Sequence, residues 1–345
     1  MKVLAPGKLI LSGEHAVVYG KPAIAMAINR YAITTTTPQI LPFISFHLAD
    51  LAYEKKFSLL ALDLLKNQIK EKYRRFIKGE FKIKEVLHKP VELAQFAFSL
   101  FCESLNLKLT QGLKIRLQSD IPMGCGLGSS AATILSIVHA LAHHLRMDIP
   151  PDMLLRLGLE AENMQHGYSS GLDLRISLEG GCLYVKEGQV YSQTIPTLPM
   201  YLVNTGTPQT STGECVAAVA HHFKQTSIGN DFAAVTEAMN VALQKNQLTT
   251  VLETITANHH LLTSIGVVPR TIQDFLTAVS STGGAGKICG AGAVAGENGG
   301  IVLVVTEDKT TLAELCARYH YHLLPIAGVA RGVHVADVAR EVAVV

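Results

Sequence analysis

The sequence predicts an α/β fold in two units, and three observations carry that prediction. At 345 residues the chain is too long for one small core and has the size of two domains. Its make-up, 48% hydrophobic and 17% charged with 28 glycines, suits a compact α/β protein and not a disordered or fibrous chain. Short apolar or β-branched runs closed by Pro and Gly alternate with longer stretches whose apolar residues recur at helical spacing.

Taken in order, Lys2 to Ala5 reads as a short strand ending at Pro6-Gly7, and Lys8 to Leu11 as another ending at Ser12-Gly13. Pro22 to Ile28 and Tyr31 to Thr37 are apolar or β-branched and extended. Residues 54–80 carry Lys, Leu and Glu at helical spacing and predict surface helices. A further helix is expected from Pro90 to Leu105, with Val91, Ala94, Phe96, Ala97, Leu100 and Phe101 on its apolar face. Leu113 to Leu117 alternates apolar and basic residues as a half-exposed strand does. Pro151 opens another helix at a favourable first-turn position, and the strand Cys182 to Val185 follows Gly180-Gly181. The polar, proline-containing stretch Gln193 to Pro199 marks the expected boundary, dividing the chain into 1–194 and 195–345. Beyond it come the strand Met200 to Val203, helices over Gly213 to Lys224 and Asp231 to Ile265, a Gly-rich segment from Gly283 to Gly300, and the strand Ile301 to Val305.

Composition also excludes function classes. A formal net charge of +2 gives no electrostatic case for nucleic acid or a membrane surface as partner. The six cysteines are scattered with no Cys-x-x-Cys pair, which predicts reduced thiols and a cytoplasmic setting. The first residues lack the apolar run of a signal peptide, and no window approaches the roughly 18 apolar residues of a membrane span.

The most informative stretch is Pro122 to Ala132, Pro-Met-Gly-Cys-Gly-Leu-Gly-Ser-Ser-Ala-Ala. Gly124, Gly126 and Gly128 let the backbone approach a ligand, and Ser129 and Ser130 lead into a helix-forming run. Unpaired N–H groups and the positive end of the helix dipole make such a turn a phosphate site. The serine hydroxyls can cap the helix, meet a phosphate oxygen or ligate a metal. Taken alone, a Gly-rich turn with a serine cap would look the same. No Gly-x-x-x-x-Gly-Lys-Ser/Thr loop is present, and Ser129 stands where a dinucleotide loop has its third glycine.

Three more constellations fit one chemistry. Lys8 follows the Ala5-Pro6-Gly7 turn, with Glu14-His15 six residues on; together they can converge on one anion, and singly they read as a surface lysine and a hydrogen-bonded histidine. Glu162 and Asp173 lie eleven positions apart across a Gly167-x-x-x-Gly171 turn. Phosphoryl transfer needs oxygens for magnesium, a group near the attacking hydroxyl and cations for the developing charge. Two solvated carboxylates around a turn would share that pattern. Lys287-Ile288-Cys289-Gly290-Ala291-Gly292-Ala293-Val294-Ala295-Gly296 has small residues suited to close packing on a ligand or another loop.

These motifs resemble the family of small-molecule kinases that includes the kinases of galactose, homoserine, mevalonate and phosphomevalonate, the GHMP kinases. Pro122 to Ala132 is similar to the family's ATP loop. Ala5-Pro6-Gly7-Lys8, Gly13-Glu14-His15-Ala16-Val17-Val18-Tyr19-Gly20 and Glu162-x-x-x-His166-Gly167-x-x-Ser170-Gly171-x-Asp173 are most similar to the branch that acts on mevalonate. The resemblance implies an N-terminal mixed-sheet domain like domain 2 of ribosomal protein S5, a ferredoxin-like α+β C-terminal domain, and an active site between them. It implies ATP and Mg²⁺ as co-substrate and cofactor, mevalonate as acceptor, and no nucleic-acid or membrane partner, and it leaves a homodimer open.

Carried onto this sequence, the resemblance makes Asp173 the group that accepts or orients the acceptor proton, and Lys8 the stabiliser of hydroxyl and phosphate charge. Ser130 and Glu162 would hold magnesium, and Lys8, His15 and Asp173 would meet the acceptor. Pro122, Gly124, Gly126, Leu127, Gly128, Ser129 and Ser130 would bind the nucleotide. The same reaction on another alcohol or on phosphomevalonate, and the related ATP-consuming decarboxylation, are the alternatives. This chain departs from the family in having Ser169 in place of proline, Leu174 in place of asparagine, and Ala293-Val294-Ala295 where glycines are typical.

Overall fold

The computed structural model describes residues 1–336, so the last nine residues of the expected second unit lie outside the described residues. The first unit is a mixed sheet of β1 (Lys2–Ser12), β2 (Ala23–Gln39), β3 (Ile44–Leu48), β4 (Tyr53–Phe57), β5 (Gly112–Ser119), β6 (Cys182–Lys186) and β7 (Gln189–Gln193). β2 is long enough to pair along one flank with β1 and along the other with two partners, β6 at its start and β5 at its end. Among the described residues the one parallel pairing joins β3 to β5. Five helices complete this unit: α1 (Leu59–Ile77), α2 (Pro90–Ser104), α3 (Ser129–His144), α4 (Pro151–His166) and α5 (Leu172–Glu179). The core between sheet and helices joins Phe46 and Ile115 on strands to Phe96, Phe101, Ile134 and Leu157 on helices, all nearly free of solvent. Removing that apolar surface from water is the principal stabilising term for the unit.

The second unit contains β8 (Met200–Asn204), α6 (Thr212–Gln225), α7 (Ile228–Gln244), α8 (Leu248–Ser264), α9 (Arg270–Ser280), β9 (Ala285–Ile288), β10 (Ile301–Val305), α10 (Lys309–Arg318) and β11 (His322–Pro325). Its four strands are all antiparallel in the order β11-β8-β10-β9. Numbered within the unit that order is 4-1-3-2, the ferredoxin-like arrangement that the family resemblance implies. β10 reads Ile-Val-Leu-Val-Val and is buried throughout, as a central strand covered on both faces must be. After β11 the chain returns to the first sheet, where β12 (His334–Val335) pairs with β1 through Val3 and Leu4.

Three expectations need correction. The two expected opening strands are one strand, and so are the next two. The register shifts where Pro6 faces Tyr31 and Gly7 faces Ile28, so Asn29 and Arg30 bulge from β2 and do not turn it. Residues 54–57 are not helical: Glu54, Lys55 and Lys56 lie on the exposed edge strand β4, where charge is the usual guard against further pairing. The single helix expected over 231–265 is broken into α7 and α8 at Asn246, which adopts a left-handed φ of 53°.

Candidate active site

The site is assembled from β1, the loop before α3, the end of α4 and the start of α5. β1 carries Lys8 into the interior, where it is only 4% exposed. Its backbone N–H donates to the Leu127 carbonyl at 2.9 Å, stitching the strand to the glycine loop. Its ammonium donates to the Gly126 carbonyl at 3.1 Å and lies 3.1 Å from Asp173 Oδ1. Gly128 is required beside this pair. Its φ is 71°, and a Cβ there would stand 2.9 Å from Lys8 Cγ and 3.5 Å from Asp173 Oδ2. Pro122 is half-buried and Gly124 lies exposed on the outer turn of the loop, while Leu127 is buried beneath it.

Of the roles left open for the two serines, capping is not the one taken. Gly128 occupies the cap position of α3 with no side-chain cap bond, and Ser129 and Ser130 are already inside the helix. Ser130 instead turns its hydroxyl to Glu162 Oε1 at 3.0 Å and to His166 Nε2 at 3.2 Å. Glu162, one turn before the end of α4, is 2% exposed. Burial, and then the negative charge of Asp173, push its carboxyl up to about 7, against the opposing pull of the Ser169 and Ser130 hydroxyls. Gly167 ends α4, Gly171 caps α5, and Asp173 falls in the first turn of α5, where the helix dipole favours an anion. Lys8, the glycine loop, Ser130, Glu162 and Asp173, distant in sequence, thus meet in one place.

The second unit closes over this site. Gly290 faces Gly126 so tightly that a Cβ on either would come within 2.8 Å of the other's Cα. The small residues of 287–296 therefore serve loop-on-loop packing. The substituted Ala293 is accommodated: it is buried, and its N–H donates to the Val267 carbonyl at 2.9 Å. His15 is 5% exposed, and its Nε2 lies 3.0 Å from the Ala291 carbonyl. Burial lowers its pKa to about 4, so it is a neutral imidazole and contributes no cation at neutral pH. Its Nδ1 is buried without a hydrogen-bond partner among the described residues. Next to it, the fully buried Glu14 carboxylate pairs with the fully buried Lys287 ammonium across the two units. Asn258 Nδ2 reaches both Glu14 Oε2 and Ser12 Oγ at 3.4 Å, and Ser12 meets Thr236 at 2.7 Å.

Two participants escape the sequence reading. Ser169 stands out there only as a departure from proline, yet its hydroxyl donates to Glu162 Oε2 at 2.6 Å. Lys287 is visible only as the first residue of a glycine-rich stretch, and nothing local signals that its partner is Glu14. Ser130 Oγ and Glu162 Oε1 suit a hard divalent cation. Among the described residues no group of three or more His, Cys, Asp or Glu is arranged to hold a metal. A hydroxyl plus one carboxylate is nonetheless the sparse set that Mg²⁺ accepts when phosphate oxygens and water complete its shell.

Residues 92–181, which include the glycine loop and both carboxylates, match the GHMP kinases N terminal domain. The chain belongs to the GHMP kinase family, and it is an ATP-dependent small-molecule kinase. Within that family, mevalonate kinases are among its relatives. That of Pyrococcus horikoshii is 31% identical over 303 residues, 84% of each chain, and that of Thermococcus sibiricus is 30% identical over 328 residues, 90% of each chain. The fold superposes on the Methanococcus jannaschii mevalonate kinase with a TM-score of 0.80, at 22% identity, over 95% of this chain and 98% of that one. No helix among the described residues is long and apolar enough to cross a membrane.

Proposed function

We propose that the protein transfers the γ-phosphoryl group of ATP to the primary hydroxyl of mevalonate, giving 5-phosphomevalonate, in the cytoplasm. The single observation that carries this reading is the Lys8–Asp173 pair at 3.1 Å, set against the glycine loop and beside the Ser130–Glu162 couple. The mevalonate kinases among its relatives support the choice of acceptor.

Phosphoryl transfer leaves a protein little covalent work, so its rate depends on positioning and on stabilising charge. Asp173 is the one carboxylate of the site that is partly open to solvent, which lets it receive the proton of an incoming hydroxyl or orient that hydroxyl for attack. Lys8 is held by two backbone contacts to the loop, so its ammonium is fixed and neutralises charge on the transferring group without reorganising. The amides from Gly124 to Ser130 and the N-terminus of α3 offer donors to the ATP phosphates. Ser130 and Glu162 would hold Mg²⁺, which when bound neutralises phosphate charge. His15 is neutral and gives its Nε2–H to the Ala291 carbonyl, so its Nδ1 would be an acceptor for a hydroxyl of the substrate.

Incubation with ATP, Mg²⁺ and mevalonate, followed by ³¹P NMR of the product, tests the reading. A monoester on the primary carbon with stoichiometric ADP is expected. ATP hydrolysis without a phosphorylated alcohol would overturn it.

A further inference from the structure

Glu162 has both carboxylate oxygens engaged, and the two partners are not equivalent. Ser130 reaches Oε1 at 3.0 Å and has an alternative partner in His166, so it can turn away and keep its proton satisfied. Ser169 reaches Oε2 at the shorter distance of 2.6 Å. The Ser169 oxygen also accepts from the Gly171 N–H at 3.1 Å. A backbone N–H can only donate, so the one hydroxyl proton of Ser169 is directed at Glu162. The Ser169 N–H in turn donates to Asn163 Oδ1 at 2.8 Å, and Asn163 follows Glu162 on α4. Ser169 is thus tied at one end to the last turn of α4 and at the other to Gly171, the cap of the helix that carries Asp173.

We propose that Ser169 is a positioning residue that fixes the Glu162 carboxylate through Oε2, leaving Oε1 and the Ser130 hydroxyl to face a divalent cation, and that ties Glu162 to the turn leading to Asp173. The proposal rests on Glu162 and Ser130 being the metal-facing pair of the kinase reading above. A proline here would have neither the hydroxyl nor the N–H, so it could make neither bond. Groups that orient a metal-facing carboxylate typically change metal affinity by about 10–100-fold when removed.

The test is Mn²⁺ binding, followed by electron paramagnetic resonance, to the full chain with a non-hydrolysable ATP analogue. Parent, Ser169→Ala, Ser169→Thr and Glu162→Gln are compared, with thermal melts to establish that each is folded. Ser169→Ala is expected to weaken Mn²⁺ binding about tenfold or more, and Ser169→Thr, which keeps the hydroxyl, to restore it to within a few-fold. In turnover assays Ser169→Ala should raise the Mg²⁺ needed for half-maximal rate, with kcat at saturating Mg²⁺ within a few-fold of the parent. If Glu162→Gln weakens Mn²⁺ binding and Ser169→Ala does not, the role of Ser169 is overturned and the kinase reading stands. If neither variant weakens it, the metal-facing assignment of Glu162 falls, and the proposal with it.

Discussion

The Glu14–Lys287 pair permits a quantitative test of what holds the two units together. Both side chains are fully removed from solvent, Glu14 between β1 and β2 and Lys287 on β9. Lys287→Met preserves length and apolar contact and removes only the ammonium. The Glu14 carboxylate is then left with the 3.4 Å contact from Asn258 Nδ2 as its remaining hydrogen bond among the described residues. Breaking a buried ion pair from one side typically costs about 3–5 kcal/mol, because a charge is stranded in a medium that solvates it poorly. At about 2–4 °C per kcal/mol for units of this size, the melting temperature should fall by roughly 10 °C. The double variant Glu14→Gln with Lys287→Met strands no charge, keeps a partner for Asn258 and should recover most of the loss. Differential scanning fluorimetry at neutral pH reads all three proteins. A single variant within about 2 °C of the parent, or a double variant as unstable as the single, would refute the reasoning.

Three further outcomes follow from the same geometry. Asp173→Asn keeps the shape of the first turn of α5 and removes the proton acceptor; kcat should drop about 10²–10⁴-fold with little change in melting temperature, as steady-state kinetics and a thermal melt will show. Glu162→Gln should raise the Mg²⁺ concentration for half-maximal rate, and an unchanged Mg²⁺ titration would make that carboxylate structural. Burial holds His259 at about 4 against an ordinary 6.5, so the unfolded chain binds more protons between those values and stability is lost as pH falls through them. His259→Gln should therefore lose less of its melting temperature than the parent between pH 6.5 and 4.5, which melts across that range will measure.

What the sequence made legible is what local chemistry dictates. Three alternating glycines before an Ala- and Ile-rich run fix a loop at a helix start, and Glu162 and Asp173 flank two glycines that must end one helix and begin another. Lys8 was identifiable because it follows a Pro-Gly step that a β-strand tolerates only at an irregularity. The rest depends on partners far apart in the chain. Lys287 meets Glu14 across 273 positions, and no periodicity reports such a contact. Ser129 and Ser130 have the composition of a cap, but Gly128 takes that position and frees Ser130 for Glu162. Asn29-Arg30 has the composition of a turn, yet a 17-residue strand absorbs the pair as a bulge because β1 pairs with the residues on either side of it, Ile28 and Tyr31. Residues 54–57 have helical composition and become an edge strand because β3 offers an unpaired side.

The central claim, that Lys8, Asp173 and the surrounding groups serve phosphoryl transfer to a small acid bearing no phosphate, is tested most directly by acceptor choice. The measurement is kcat/KM for mevalonate, phosphomevalonate, homoserine and galactose with the purified protein, ATP and Mg²⁺. Mevalonate should exceed each of the others by well over about tenfold, since a buried polar site discriminates strongly against ligands that leave its groups unpaired. A higher kcat/KM for phosphomevalonate, or equal values across the four, would contradict it.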